Sequence, residues 1–234
     1  MKRAIVIALS VILALVVAAP IASGQSSSQS QTQSQNLGQL TGEWWNWMVS
    51  TDPSPGDGDY TSLDPRCDGE YVEGVFFLAT GGGSAVHRTC NVPRNMPILF
   101  SPFNYLCSAA FDPIQKGFED QPPYDTKCAE PFTSATIDPP SSFYARVDGK
   151  DAKQQRIASG IFQWTIPKDA LGLKGLKAGT YPAAQDGLWV YLKNGLNTGN
   201  HTVVFGGHFE GTPLNDPPES SFEGTKVTYT LKAR

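Results

Sequence analysis

The chain has 234 residues, of which 40% are hydrophobic, 11% aromatic and 17% charged, with a formal net charge of -4 at pH 7. Charged residues fall below the ~25% usual in soluble domains, and 23 Gly with 18 Pro disfavour coiled coils and long helical bundles. No basic run follows the first three residues, which excludes nucleic acid as a partner, because phosphate neutralisation needs clustered Lys and Arg.

Residues 1–24 begin with Lys2 and Arg3, continue as an apolar run from Ala4 to Ala19, and end in the small residues Ala22, Ser23 and Gly24. This is the layout of a cleaved secretory signal peptide, and the run is shorter than the ~20 residues a membrane span needs. Cleavage after Gly24 leaves 16 basic against 22 acidic residues and no membrane span in the mature chain. The expected location is secreted or extracellular. Residues 25–36, QSSSQSQTQSQN, bury too little apolar surface to order themselves and predict a disordered Gln/Ser-rich linker. Residues 37–234 then form one domain.

Leu37 to Ser50 predicts a helix, with Thr41 as its cap and Leu40, Trp44, Trp47 and Met48 on one side. Asp52 to Asp59, DPSPGDGD, reads as turns. Its oxygens suit calcium, but the spacing is not that of the twelve-residue EF-hand loop, so the expectation is no cofactor, with structural calcium as the alternative.

Eight segments of strand length follow: 75–80, 85–92, 97–103, 143–147, 160–167, 187–193, 201–207 and 226–232. They are rich in β-branched and aromatic residues, and Gly81–Gly83, Asp148-Gly149, Asn194-Gly195 and Thr198–Asn200 supply turns between them. The fold class predicted is an all-β, disulfide-stapled β-sandwich, immunoglobulin-like or jelly-roll-like, with one N-terminal helix. The Pro-rich and Asp-rich stretch Ala109 to Ser142 reads as a long loop that a disulfide holds in place.

Cys67, Cys90, Cys107 and Cys128 all lie beyond the signal, and an even count in an exported chain favours disulfides over metal thiolates. Of three formal pairings, Cys67 with Cys90 and Cys107 with Cys128 close the most local loops, each worth roughly 3 kcal/mol in the chain-entropy view.

Three blocks resemble a family of secreted bacterial proteins without an established activity. The first is Trp44-Trp45-Asn46-Trp47. The second runs from Cys67 through Gly74–Ala79 and Arg88–Pro93 to Ile98–Asn104 and Cys107-Ser108. The third comprises Gly179–Ala184, Asp186–Trp189, Gly199–Gly207 and Val227–Leu231. The resemblance covers most of the body except Ala109 to Ser142, implies export and a β-rich fold, and supplies no catalytic residues. The closing pair of strands is also similar to the last hairpin of bacterial immunoglobulin-like modules.

Candidate chemistry is sparse. His201 and His208 are seven apart on one predicted strand, which puts them on opposite faces unless Gly206-Gly207 bulges, and His87 comes from a distant strand, so no metal site is expected. No Gly-x-Ser-x-Gly run marks a serine nucleophile. Glu43, Asp112, Asp186 and Glu210 are acidic residues beside aromatic or turn sequence, the raw material of a two-carboxylate glycosidase. Trp45, Tyr105, Tyr144, Trp189 and Tyr191 offer stacking surfaces for sugar rings, and Trp189 and Tyr191 share a strand face by the two-residue period. Asn200-His201-Thr202 is a glycosylation sequon. The expectation is a non-catalytic binding or structural module, with a glycan or another extracellular protein as partner; a secreted carboxylate-dependent glycan hydrolase is the alternative.

Overall fold

The computed structural model describes residues 25–50, 71–72, 74–80, 85–111, 123–137, 142–168, 170, 176–209 and 222–234. The signal segment, the Asp52 to Asp59 loop, Cys67, the Gly81–Gly83 turn, Asp112 and Glu210 lie outside them. Among the described residues, no helix is long and apolar enough to cross a membrane.

Among the described residues, eleven strands build two mixed sheets. The strands are β1 (Tyr71–Val72), β2 (Val75–Phe77), β3 (Ala85–Val92), β4 (Ile98–Ser108), β5 (Tyr144–Val147), β6 (Lys150–Asp151), β7 (Gln155–Ala158), β8 (Phe162–Ile166), β9 (Gly179–Leu192), β10 (Gly199–Phe209) and β11 (Phe222–Ala233). The first sheet runs β1-β2-β4-β9-β7, with β8 also paired to β9; the second runs β3-β11-β10-β5-β6. Most pairs are antiparallel, but β2 lies parallel to β4 and β3 parallel to β11. All eight predicted strand segments are present. The additions are the short β1, β6 and β7, whose two to four residues are too few to show a period.

The two sheets share an apolar core. Phe76, Ile98, Phe100 and Val190 of the first meet Cys90, Val203, Phe205, Val227, Tyr229 and Leu231 of the second. Every second residue of β3 is buried, so that strand faces the core on one side only. Ile98, Leu99 and Phe100 of β4 are all buried, because the first sheet is covered on both faces. Between Phe100 and Phe103 the register of β4 against β9 shifts. Gly187 sits opposite that irregularity, where a Cβ would lie 2.5 Å from the Phe103 carbonyl oxygen.

Helix α1 spans Gln25–Ser50. It begins twelve residues before the predicted start, so the expected linker is helical; residues 25–36 contain neither Gly nor Pro to stop the helix. Thr41 is therefore interior, not a cap. It is fully buried and donates its hydroxyl to the Gly38 carbonyl at 2.7 Å.

A second helix, α2 (Thr126–Ile137), corrects both the single-helix expectation and the long-loop reading. Asp125 is its cap: the carboxylate accepts from the Lys127 N–H at 2.9 Å and the carbonyl from the Cys128 N–H at 3.0 Å. Pro131, in its second turn, is the residue that makes the segment read as irregular. The Cys107–Cys128 disulfide joins α2 to β4 as expected, with 6.0 Å between Cα atoms. Cys90 is disulfide-bonded as well.

Candidate functional site

The chain's five tryptophans form one connected cluster around α1. Trp44 packs edge-on against Trp45 and Trp189, each at 5.4 Å between centroids, and meets Trp47 at 6.3 Å; Trp45 reaches Trp164 at 6.0 Å, and Trp47 reaches Phe77 at 5.7 Å. Edge-to-face geometry suits rings whose faces are negative and rims positive. Trp189 and Tyr191 do share one strand face, but that face lies under α1: Trp189 is fully buried and Tyr191 half-buried. Burial also holds the Tyr191 phenol above its ordinary pKa. The structure thus corrects Trp189 from an exposed stacking surface to a core residue, and Trp45 is half-buried in the same cluster.

Beneath α1 lies a buried polar network. Gln185 donates from Nε2 to Thr41 Oγ1 at 2.6 Å and to the Ile157 carbonyl at 3.2 Å, and its Oε1 accepts from Trp189 Nε1 at 3.1 Å. Its backbone N–H donates to Ser159 Oγ at 2.9 Å, and its carbonyl accepts from the Ser159 N–H at 2.9 Å. Buried polar groups are costly unless paired, and here the amide is paired at both ends. Close packing admits α1 to this place. At Gly38 a Cβ would come within 2.9 Å of the Ala158 carbonyl oxygen, and at Gly42 within 3.0 Å of the Phe162 ring. Beside Gly38 and Gln39 a cleft of about 490 Å³ opens towards Ala158–Phe162, with Ile161 projecting at its rim.

Asp186 lies on the opposite face of β9 and is itself buried. Arg156 grips it from β7, donating from Nε at 3.1 and 3.0 Å and from Nη2 at 2.5 Å, while Nη2 also reaches Ser134 Oγ on α2 at 2.9 Å. Thr133 of α2 donates to the Asp186 carbonyl at 3.2 Å. Ion pair, hydroxyl and disulfide together fasten α2 to the first sheet. Tyr105 pairs with Asp186 across β4 and β9 and is half-buried there. Glu43 is half-buried on α1, which packs through Leu40, Trp44 and Trp47 on the Trp189 face of the first sheet.

Tyr144 is on the second sheet, half-buried on its outer face, with the Arg146 guanidinium 5.9 Å from the ring centroid. The five aromatic candidates are therefore divided among three places and make no common platform. The histidines are dispersed too, and among the described residues no group of three His, Cys, Asp or Glu side chains could hold a metal ion. His87 is exposed on β3, and His208 is bonded through Nδ1 to Ser142 Oγ.

His201 is the most constrained of the three. Asp148 and Gly149 form a two-residue turn with φ of 51° and 77°, as the Asp-Gly pair predicts. That turn brings Asp148 Oδ2 to 2.8 Å from His201 Nδ1 and Oδ1 to 2.8 Å from the Thr202 N–H, while His201 Nε2 lies 2.9 Å from the Asn197 carbonyl. A carboxylate and a carbonyl both accept, so the doubly protonated imidazolium satisfies both contacts. The Asp148 hydrogen bond holds His201 above its ordinary value and, reciprocally, Asp148 below its own.

Sequence reasoning missed Gln185, Thr41, Ser159 and Arg88 as buried polar residues. Arg88 is buried between the sheets, donating to the Ala79 carbonyl at 3.1 Å and the Tyr229 hydroxyl at 2.9 Å. The usable signal was its place in the alternating run of β3, where it occupies an inward position.

No protein-family model matches the chain, and no curated protein matches it. Among solved structures, the solution structure of Amebosin aligns with 66% of this chain and 100% of its own length, at 10% identity and a TM-score of 0.19, a likeness too small to support any argument.

Proposed function

We propose that the chain is an exported, non-catalytic binding or structural module whose two sheets face each other as a β-sandwich, with α1 laid over one side. The resemblance to secreted bacterial proteins supports export, and the shared core of the two sheets supports the sandwich. One observation carries the non-catalytic reading: Asp186, the acidic candidate on β9, is held in a fork by Arg156 and spent on anchoring α2. A general acid or nucleophile must instead reach its substrate. Trp189 and Gln185 are likewise committed to holding α1. Binding then falls to surfaces outside these networks. The test incubates the purified protein with a panel of soluble polysaccharides and measures both co-sedimentation and new reducing ends. Binding without new ends is the expected result; reducing ends that rise in proportion to protein concentration would overturn the reading in favour of the hydrolase.

A further inference from the structure

Among the described residues, the outer face of the second sheet is polar and largely exposed, and its side chains are aligned. Outward positions on β11 read Lys226, Thr228, Thr230 and Lys232, all exposed except the half-buried Thr228. Across the ladder, Thr89, Thr230 and Thr202 form one row, and Asn91, Lys232 and Asn200 form the next. His87, Thr228, Val204 and Arg146 make a third row, and Lys226 sits beside Gly206, which pairs with Tyr144. Arg234 adds a guanidinium bonded to Asn91 Oδ1. Two described carboxylates border this face, each paired with a basic side chain: Asp151 with Arg146 at 3.0 Å and Asp148, beside Thr202, with His201 at 2.8 Å.

From this arrangement we infer that the outer face of the second sheet binds an extended acidic polysaccharide, such as a polyuronate, lying along β11. The inference rests on the binding-module reading and names its partner class. Charge complementarity carries it: a face bearing Lys226, Lys232, Arg146 and Arg234 stands on a chain whose formal net charge is -4. Lys226 and Lys232 are six residues apart on one strand, ~20 Å in an extended chain. Separated cations suit a linear polymer with repeated carboxylates better than a compact phosphate. The Thr and Asn rows between them supply hydroxyl and amide groups of the kind that sugar hydroxyls hydrogen-bond, and Tyr144 offers a ring.

The test measures retention of the full protein on alginate beads and on neutral dextran beads, at low and high salt, and on anionic-lipid vesicles. Wild type should bind alginate at low salt, release at high salt and ignore dextran. Lys226→Glu with Lys232→Glu should weaken alginate binding about tenfold or more. Lys168→Glu with Lys177→Glu, exposed elsewhere and equal in charge change, should leave it unaltered. Unchanged tryptophan emission verifies that each variant is folded. Equal loss in both variants, no loss in the first, failure of wild type to bind alginate, equal binding to dextran, or binding to vesicles alone would each overturn the inference. Shortening of bound alginate would instead refute the non-catalytic reading and leave the partner standing.

Discussion

The outer faces of the two sheets were made by the same alternation and met opposite fates. On the first sheet the outward residues Val75, Phe77, Leu99, Ile157 and Trp189 are apolar and lie under α1. On the second they are His87, Thr89, Asn91, Thr230 and Lys232, and they face solvent. A sheet face is covered or bare according to the side chains at every second position, since only apolar burial offsets the entropy of ordering a helix upon it. The tryptophans therefore serve the covered face, and the described side chains of the polar one are left to solvent.

The sharpest way to break this comparison is at Trp189. Trp189→Ala should cost ~3 to 5 kcal/mol through the cavity it leaves, read as a lowered urea midpoint; a loss below 1 kcal/mol would mean that α1 does not depend on the cluster. Next is Gln185→Leu, which strands the Trp189 indole N–H and should cost about 1 to 3 kcal/mol in the same titration.

A smaller effect belongs to His201 and Asp148, which clip the β5–β6 turn to β10. The folded-state pKa of His201 lies above its ordinary 6.5, so its contribution is full below that value and is lost as pH rises through the folded pKa. Asp148 is depressed from 3.8, so its contribution is present above that value and is lost as pH falls through the folded pKa. Lys150 also lowers Asp148. Stability of the wild type relative to His201→Gln should therefore be greatest between about pH 4 and 6.5 and shrink on either side. A flat difference from pH 4 to 8 in thermal melts would refute the clip. The smallest effect is expected on the bare face, where Thr230→Ser should change stability by less than about 0.5 kcal/mol.

Much of this contrast was legible in the residues. The alternating run of β3 and the paired spacing of Trp189 and Tyr191 gave faces correctly, because a period of two survives in any strand long enough to show it. What the spacing could not say was which face a helix would cover, so Trp189 could be offered as a stacking surface for sugars although it is buried. The linker segment failed for a related reason: Gln and Ser are indifferent helix formers, and a docked helix beyond them can extend its hydrogen bonding backwards. α2 was hidden by the Pro-rich and Asp-rich composition of Ala109 to Ser142, Pro131 included. Gln185 lacked any local signal, since its partners Thr41 and Trp189 lie on elements far apart in the chain.

The position of β11 has a consequence for how the molecule comes into being. β11 lies between β3 and β10, so the middle of the second sheet is filled by residues 222–233, and their partner β3 is synthesised more than a hundred residues earlier. Neither neighbour can complete its ladder until residues 222–233 are available, and such distant pairing makes folding slow. In a nascent chain the second sheet therefore stays open until β11 emerges.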